Sequence, residues 1–186
     1  MPAIGWAALL VALLLPNWAW GSDLDRLPDH RVAKATGDII RAWLIGPTKR
    51  YQHFVLGSRY EAAGVRVETN AGVIQDLILP DNAVFEDREP RLADLDGDGR
   101  NEVVLVKSTA VVGSSLALIG LRDGKLQLLA ETPPNGRSNR WLNPAGFGRF
   151  TMGNRLQVAI VRMPHVLGGL GILGLRWRQA EPQAQP

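Results

Sequence analysis

Glu102-Val-Val-Leu-Val106-Lys107 is echoed about 55 residues later by Gln157-Val-Ala-Ile-Val161-Arg162, the kind of fixed interval that marks a repeated unit. Gly120-Leu121-Arg122 is echoed by Gly174-Leu175-Arg176 after almost the same interval. Two nearly equal offsets constrain this chain more than any single segment does. A fixed period marks a supersecondary unit that stacks on its own copies, and this spacing suits a unit of four or nearly four short strands. The competing explanation is coincidence between Val-rich strands, which share composition.

The remaining segments follow the same strand–turn rhythm. Asp38–Ile45 is apolar and ends at Gly46-Pro47, a turn signal. Gly64–Thr69 alternates through Val65 and Val67, Asn70-Ala71-Gly72 offers a hairpin turn into Val73–Leu79, and Pro80-Asp81-Asn82 breaks that strand. Glu102–Ser108 and Leu116–Leu121 are further apolar runs. Asp123 and Gly124 both accept the positive φ of a type I′ turn, which predicts a hairpin into Lys125–Ala130. Gly113-Ser114-Ser115 reads as a hairpin loop. Few segments beyond the N-terminal apolar run carry helical periodicity. With 20 Gly and 12 Pro in 186 residues, the expectation is an all-β fold of one domain over 22–178.

The ends of the chain are different. Ala3–Leu15 is apolar and uncharged, and Ala19-Trp20-Gly21 resembles a small-residue cleavage site, which predicts a signal peptide over 1–21. A retained anchor is the alternative, although the run is shorter than the roughly 20 residues that span a bilayer. Export makes the mature chain periplasmic or secreted, where calcium is plentiful, with no membrane contact after cleavage. The segment 179–186, rich in Pro, Gln and Ala, reads as a disordered tail. The absence of cysteine excludes disulfides, thiol catalysis and Cys-based zinc sites. A net charge of +3, with basic residues scattered, argues against a nucleic-acid partner, whose phosphates need a concentrated basic face.

Asp94-Leu-Asp96-Gly97-Asp98-Gly99-Arg100-Asn101-Glu102 is the most chemically specific stretch. Calcium takes six to eight hard oxygen ligands. Carboxylates at positions 1, 3 and 5 can turn inward around one ion, and Gly97 and Gly99 permit the tight wrapping. The Arg100 carbonyl can serve at position 7, and Glu102 can close the shell. Without a cation these carboxylates repel one another. An EF-hand would need a bidentate Glu at position 12, which here is Leu105, and a helix afterwards, whereas the loop feeds a β-branched run. Magnesium favours its own waters over such a cage. A solvated Asp-Gly turn without metal is the remaining alternative.

This loop and the strand after it, Asp94–Val106, resemble the calcium loop of FG-GAP repeats, also called VCBS-type repeats. Such repeats form blades of β-propellers, among them the integrin α-subunit headpiece, and occur in many exported bacterial proteins. The resemblance implies propeller-blade-like repeats and a Ca2+ site at Asp94, Asp96, Asp98, Arg100 and Glu102. In the second copy Asp94, Asp96, Asp98 and Glu102 become Arg149, Thr151, Gly153 and Gln157. No carboxylate survives there, and no second metal is expected. A closed propeller has four to eight blades. The span 22–178 suffices for about two to three, so an incomplete or open propeller follows, with strand edges that invite self-association.

No catalytic constellation emerges. The three histidines, His30, His53 and His165, lie in separate segments, without a metal-ligand spacing. Glu86-Asp87-Arg88-Glu89 reads as a solvated connection, although a glycosidase-like carboxylate pair at Glu86 and Glu89 is conceivable. Trp43, Trp141 and Trp177 read as core residues rather than a sugar platform, and Arg137–Trp141 is the best exposed recognition candidate. The expected function is a non-enzymatic module that binds a protein or glycan. An accessory or degenerate domain of an extracellular polysaccharide hydrolase or lyase is the alternative.

Overall fold

The computed structural model describes residues 25–152, 155–164 and 169–173. The expected signal peptide, the C-terminal tail, His165, Trp177 and the Gly174–Arg176 echo lie outside the described residues. Among the described residues the chain is all-β, with antiparallel sheets and no α-helix. No helix among them is long and apolar enough to cross a membrane.

Strands β1 (Ala33–Lys34), β2 (Ile39–Thr48), β3 (Glu61–Thr69) and β4 (Ile74–Ile78) form a four-stranded meander. A second meander begins with β5 (Ala83–Phe85) and β6 (Arg91–Ala93), which lie end to end along β7 (Glu102–Thr109). It continues through β8 (Gly113–Arg122) and β9 (Lys125–Glu131). One residue pair, Ala62 opposite Phe85, joins the two meanders into a nine-stranded sheet. Strands β10 (Leu142–Gly148), β11 (Gln157–Arg162) and β12 (Gly169–Leu173) make a separate three-stranded sheet. Neither sheet closes on itself.

The sequence echo has a counterpart in strand register. Ala93 faces Glu102 and Arg91 faces Val104; one period on, Gly148 faces Gln157 and Gly146 faces Ala159. On the other flank Val103 faces Ile119 while Val158 faces Leu173, one position short of a full period. Both sequence offsets are thus pairing offsets. The two stretches occupy equivalent places in their sheets.

Strands β7 and β8 are buried on both faces, which explains their unbroken apolar runs. Val103 and Leu105 of β7, with Ala117 and Ile119 of β8, pack with Leu44, Val65 and Val67 of the first meander. Their neighbours Val104, Val106, Leu116 and Leu118 point the other way, onto Leu142, Val158 and Ile160 of the small sheet. The alternation of β-strand side chains splits one run between two cores. Three layers of strands result.

Two turn assignments need correction. Strand β2 continues through Gly46-Pro47, pairing Pro47 with Ala62 and Thr48 with Glu61; Gly46 accommodates this by a φ of 66°. Gly113-Ser114-Ser115 is the start of β8 rather than a loop, and both serines are buried. The turn at Asp123-Gly124 has the expected form, with φ of 53° and 72°.

Candidate metal centre

The connection from β6 to β7 is wound by its own aspartates. Asp94 accepts hydrogen bonds from Gly97 N at 2.7 Å and Gly99 N at 3.0 Å, Asp96 accepts from Asp98 N at 3.1 Å, and Asp98 accepts from Arg100 N at 2.9 Å. Gly97 and Gly99 have φ of 81° and 85°. A Cβ at either would meet nothing within 4 Å, so these glycines serve backbone conformation and not space. The winding brings Asp94, Asp96 and Glu102 together, each offering one carboxylate oxygen within 4.8 Å of the others.

Glu102 is the telling member. It is completely buried at the start of β7; its Oε2 accepts the Leu95 N–H at 2.9 Å, and its Oε1 has no hydrogen-bond partner. Burial pushes its carboxyl up to about 7, with Asp96 and Asp98 adding to the rise against the Leu95 N–H and Arg122. A buried, half-satisfied carboxylate beside two others is unfavourable as an isolated group, and a hard cation resolves both problems. Of the four expected carboxylates the fold converges three. Asp98 lies on the exposed rim with its Oδ2 3.8 Å from Arg122 Nη1, and Arg100 is likewise exposed.

A device that sequence reading misses recurs in all three layers. The first residue of each middle strand, Glu61, Glu102 or Gln157, accepts an N–H from the residue seven positions earlier. The donors are Phe54 at 3.2 Å, Leu95 at 2.9 Å and Phe150 at 2.9 Å. Glu61 also takes His53 N and Gln157 also takes Thr151 N. The available signal is an apolar residue at that spacing before a Glu or Gln that opens an apolar strand. In the sequence Gln157 counts only as a lost ligand, yet its amide oxygen performs the same loop-holding task as the Glu102 carboxylate.

Asn101 has a role that the sequence does not display. Its N–H donates to Asp38 Oδ1 at 2.7 Å, and its Nδ2 donates to Thr36 O at 2.6 Å and Ile39 O at 3.0 Å. These bonds latch the acidic loop onto the turn between β1 and β2. A Cβ on Gly37 would come within 2.7 Å of Asn101 Nδ2, so glycine is what lets the amide approach.

The charged run before Pro90 is a solvated connection only at Arg88 and Glu89. Glu86 and Asp87 are buried. The break between β5 and β6 leaves β7 short of a ladder partner there. Asp87 Oδ2 accepts the Val106 N–H instead, at 2.5 Å, while Asp87 Oδ1 pairs with Arg91 at 2.7 Å. Burial raises the Asp87 carboxyl to about 6 against both partners. Glu86 joins His53 Nδ1 at 2.8 Å and accepts from Ser108, whose hydroxyl meets that of Ser114 at 2.9 Å. His53 therefore has an acidic partner from a distant part of the chain. Trp43 and Trp141 are core residues, Trp141 donating to Glu86 O at 3.1 Å, so they form no exposed platform. Arg137, Ser138 and Asn139 are exposed. No model of a known protein family matches the chain, and no curated protein or solved structure matches it either.

Proposed function

We propose that this chain is an exported, non-enzymatic module of propeller-blade-like repeats, stabilised by one structural Ca2+ ion and built to bind a protein or glycan. The observation that carries the metal reading is Glu102 Oε1, buried and without a hydrogen-bond partner beside Asp94 and Asp96. Glu102, Asp94 and Asp96 would hold the ion, with Asp98 and the Arg100 carbonyl joining from the rim. Bound calcium supplies positive charge that keeps the carboxylates ionised and together. Glu102 ties the loop to β7 while Asn101 ties it to the first meander, so a firmly wound loop secures contact between two layers. The closely matching registers of the second and third layers and their face-to-face packing support the FG-GAP-like reading. Against a glycosidase-like pair at Glu86 and Glu89 stands the commitment of both Glu86 oxygens to His53 and Ser108.

The test is a denaturation series of the mature chain with calcium and with excess chelator. At free calcium roughly 100-fold above the dissociation constant, binding adds about 2.7 kcal/mol of stability. Asp96→Ala is expected to remove most of that gain. A transition indifferent to calcium in the wild type would return the loop to an ordinary Asp-Gly turn.

Open edges give a second expectation. Among the described residues β12 pairs only with β11, and its Leu170 and Ile172 are 73% and 46% exposed. Unpaired, apolar strand edges recruit further strands. Light scattering over a concentration series should show association of the chain. A monodisperse monomer at all concentrations would refute self-association through these edges.

A further inference from the structure

Arg122 ends β8 immediately before the Asp123-Gly124 turn, facing Lys125 across the hairpin. Its Nη2 lies 3.7 Å from Asp96 Oδ2, and its Nη1 lies 3.8 Å from Asp98 Oδ2. The same Nη1 donates to the Leu121 carbonyl at 3.1 Å, which fixes the guanidinium beside the loop. Both carboxylate separations exceed hydrogen-bond length. The group contributes charge at close range to both carboxylates.

Asp96 belongs to the converging trio, whereas Asp98 stands outside it, against Arg122. We propose that Arg122 sets the metal affinity of the loop, as an internal cation that competes with calcium for Asp96 and Asp98. This rests on the calcium reading above. An arginine keeps its charge at every working pH, so the competition is constant and does not switch with acidity. Its side chain is one-third exposed, so water and salt screen its pull on the carboxylates. Arg122 thereby does two opposing things. It offsets repulsion among the carboxylates when calcium is scarce, and it weakens the loop's hold on the ion when calcium is present.

Calorimetric calcium titrations of the wild type, R122Q, R122K and K125Q test this. R122Q is expected to bind calcium about 3- to 10-fold more tightly, since one competing charge at about 4 Å is removed from a screened site. R122K retains the charge and should stay within about threefold of wild type. K125Q removes an exposed charge of the same hairpin and should change the affinity by less than about twofold. In chelator, R122Q should melt below the wild type. Equal or weaker binding by R122Q, with the wild type still binding, would overturn the role of Arg122 and leave the calcium site standing. Equal tightening by R122Q and K125Q would also overturn it, by showing a general charge effect. A wild type that binds no calcium would remove both readings.

Discussion

Replacing Glu86 with alanine should destabilise the fold by about 2–5 kcal/mol, the range for leaving a buried cavity and buried hydrogen-bonding groups without their partner. Glu86 is 4% exposed. Its carboxylate gathers groups from three parts of the chain: His53 from the β2–β3 connection, and Ser108 from β7, which in turn meets Ser114 of β8. Alanine leaves a cavity and strips His53 and Ser108 of their acceptor, so cavity and desolvation costs add. Glu86→Gln should cost far less, because the amide offers one acceptor and one donor to the same two neighbours. Urea midpoints at unchanged m-value measure both. If alanine and glutamine cost the same, the hydrogen-bonded network is not what holds the layers here, and packing volume alone decides.

How much of this is legible in the sequence? The strands β3, β4 and β7 to β9 follow directly from alternation and turn chemistry, because Asn70–Gly72 and Asp123-Gly124 dictate local backbone angles that nothing distant overrides. The Asp94–Glu102 loop is legible for the same reason: its winding is made by its own side chains and glycines. What escapes is long-range. A charged run such as Glu86–Glu89 looks solvated until one knows that β5 and β6 part around it and leave the Val106 N–H to be met by Asp87. His53 looks unpartnered because its acid belongs to another segment altogether. Gly46-Pro47 looks like a stop because turn signals are read locally, while β3 supplies Ala62 and Glu61 to keep the strand paired. Arg122, carried in from the end of a different hairpin, stands beside Asp96 and Asp98, a neighbour that no local reading of the loop supplies. The offset of the echoed segments can be read from the sequence; the bonds between layers cannot.

Glu102→Gln should abolish the calcium response while making the chain no less stable in chelator. Gln157 supplies the precedent: in the equivalent place, an amide oxygen accepts Phe150 N and Thr151 N at 2.9 Å each. The Glu102 carboxyl, by contrast, is raised from 4.5 to about 7, chiefly by burial. A raised carboxyl binds its proton more tightly folded than unfolded, so without calcium its contribution falls as pH climbs from 4.5 through about 7. The shift corresponds to about 3 kcal/mol at most, and the exposed rim of the loop screens it to less. Asp87 and Glu86 are also raised by burial and tilt the profile the same way, so the informative quantity is the difference between variant and wild type. In chelator that difference should be near zero at about pH 4 and should favour the variant by about 1–3 kcal/mol at about pH 8. With calcium at about pH 8 the order reverses, because the ionised wild-type carboxylate gains a cation and the variant offers only a neutral amide. A variant that still gains stability from calcium would remove Glu102 from the ligand set. A variant less stable than wild type in chelator at about pH 8 would mean that the buried carboxylate carries no electrostatic cost, and the equivalence of Glu102 with Gln157 would fail with it.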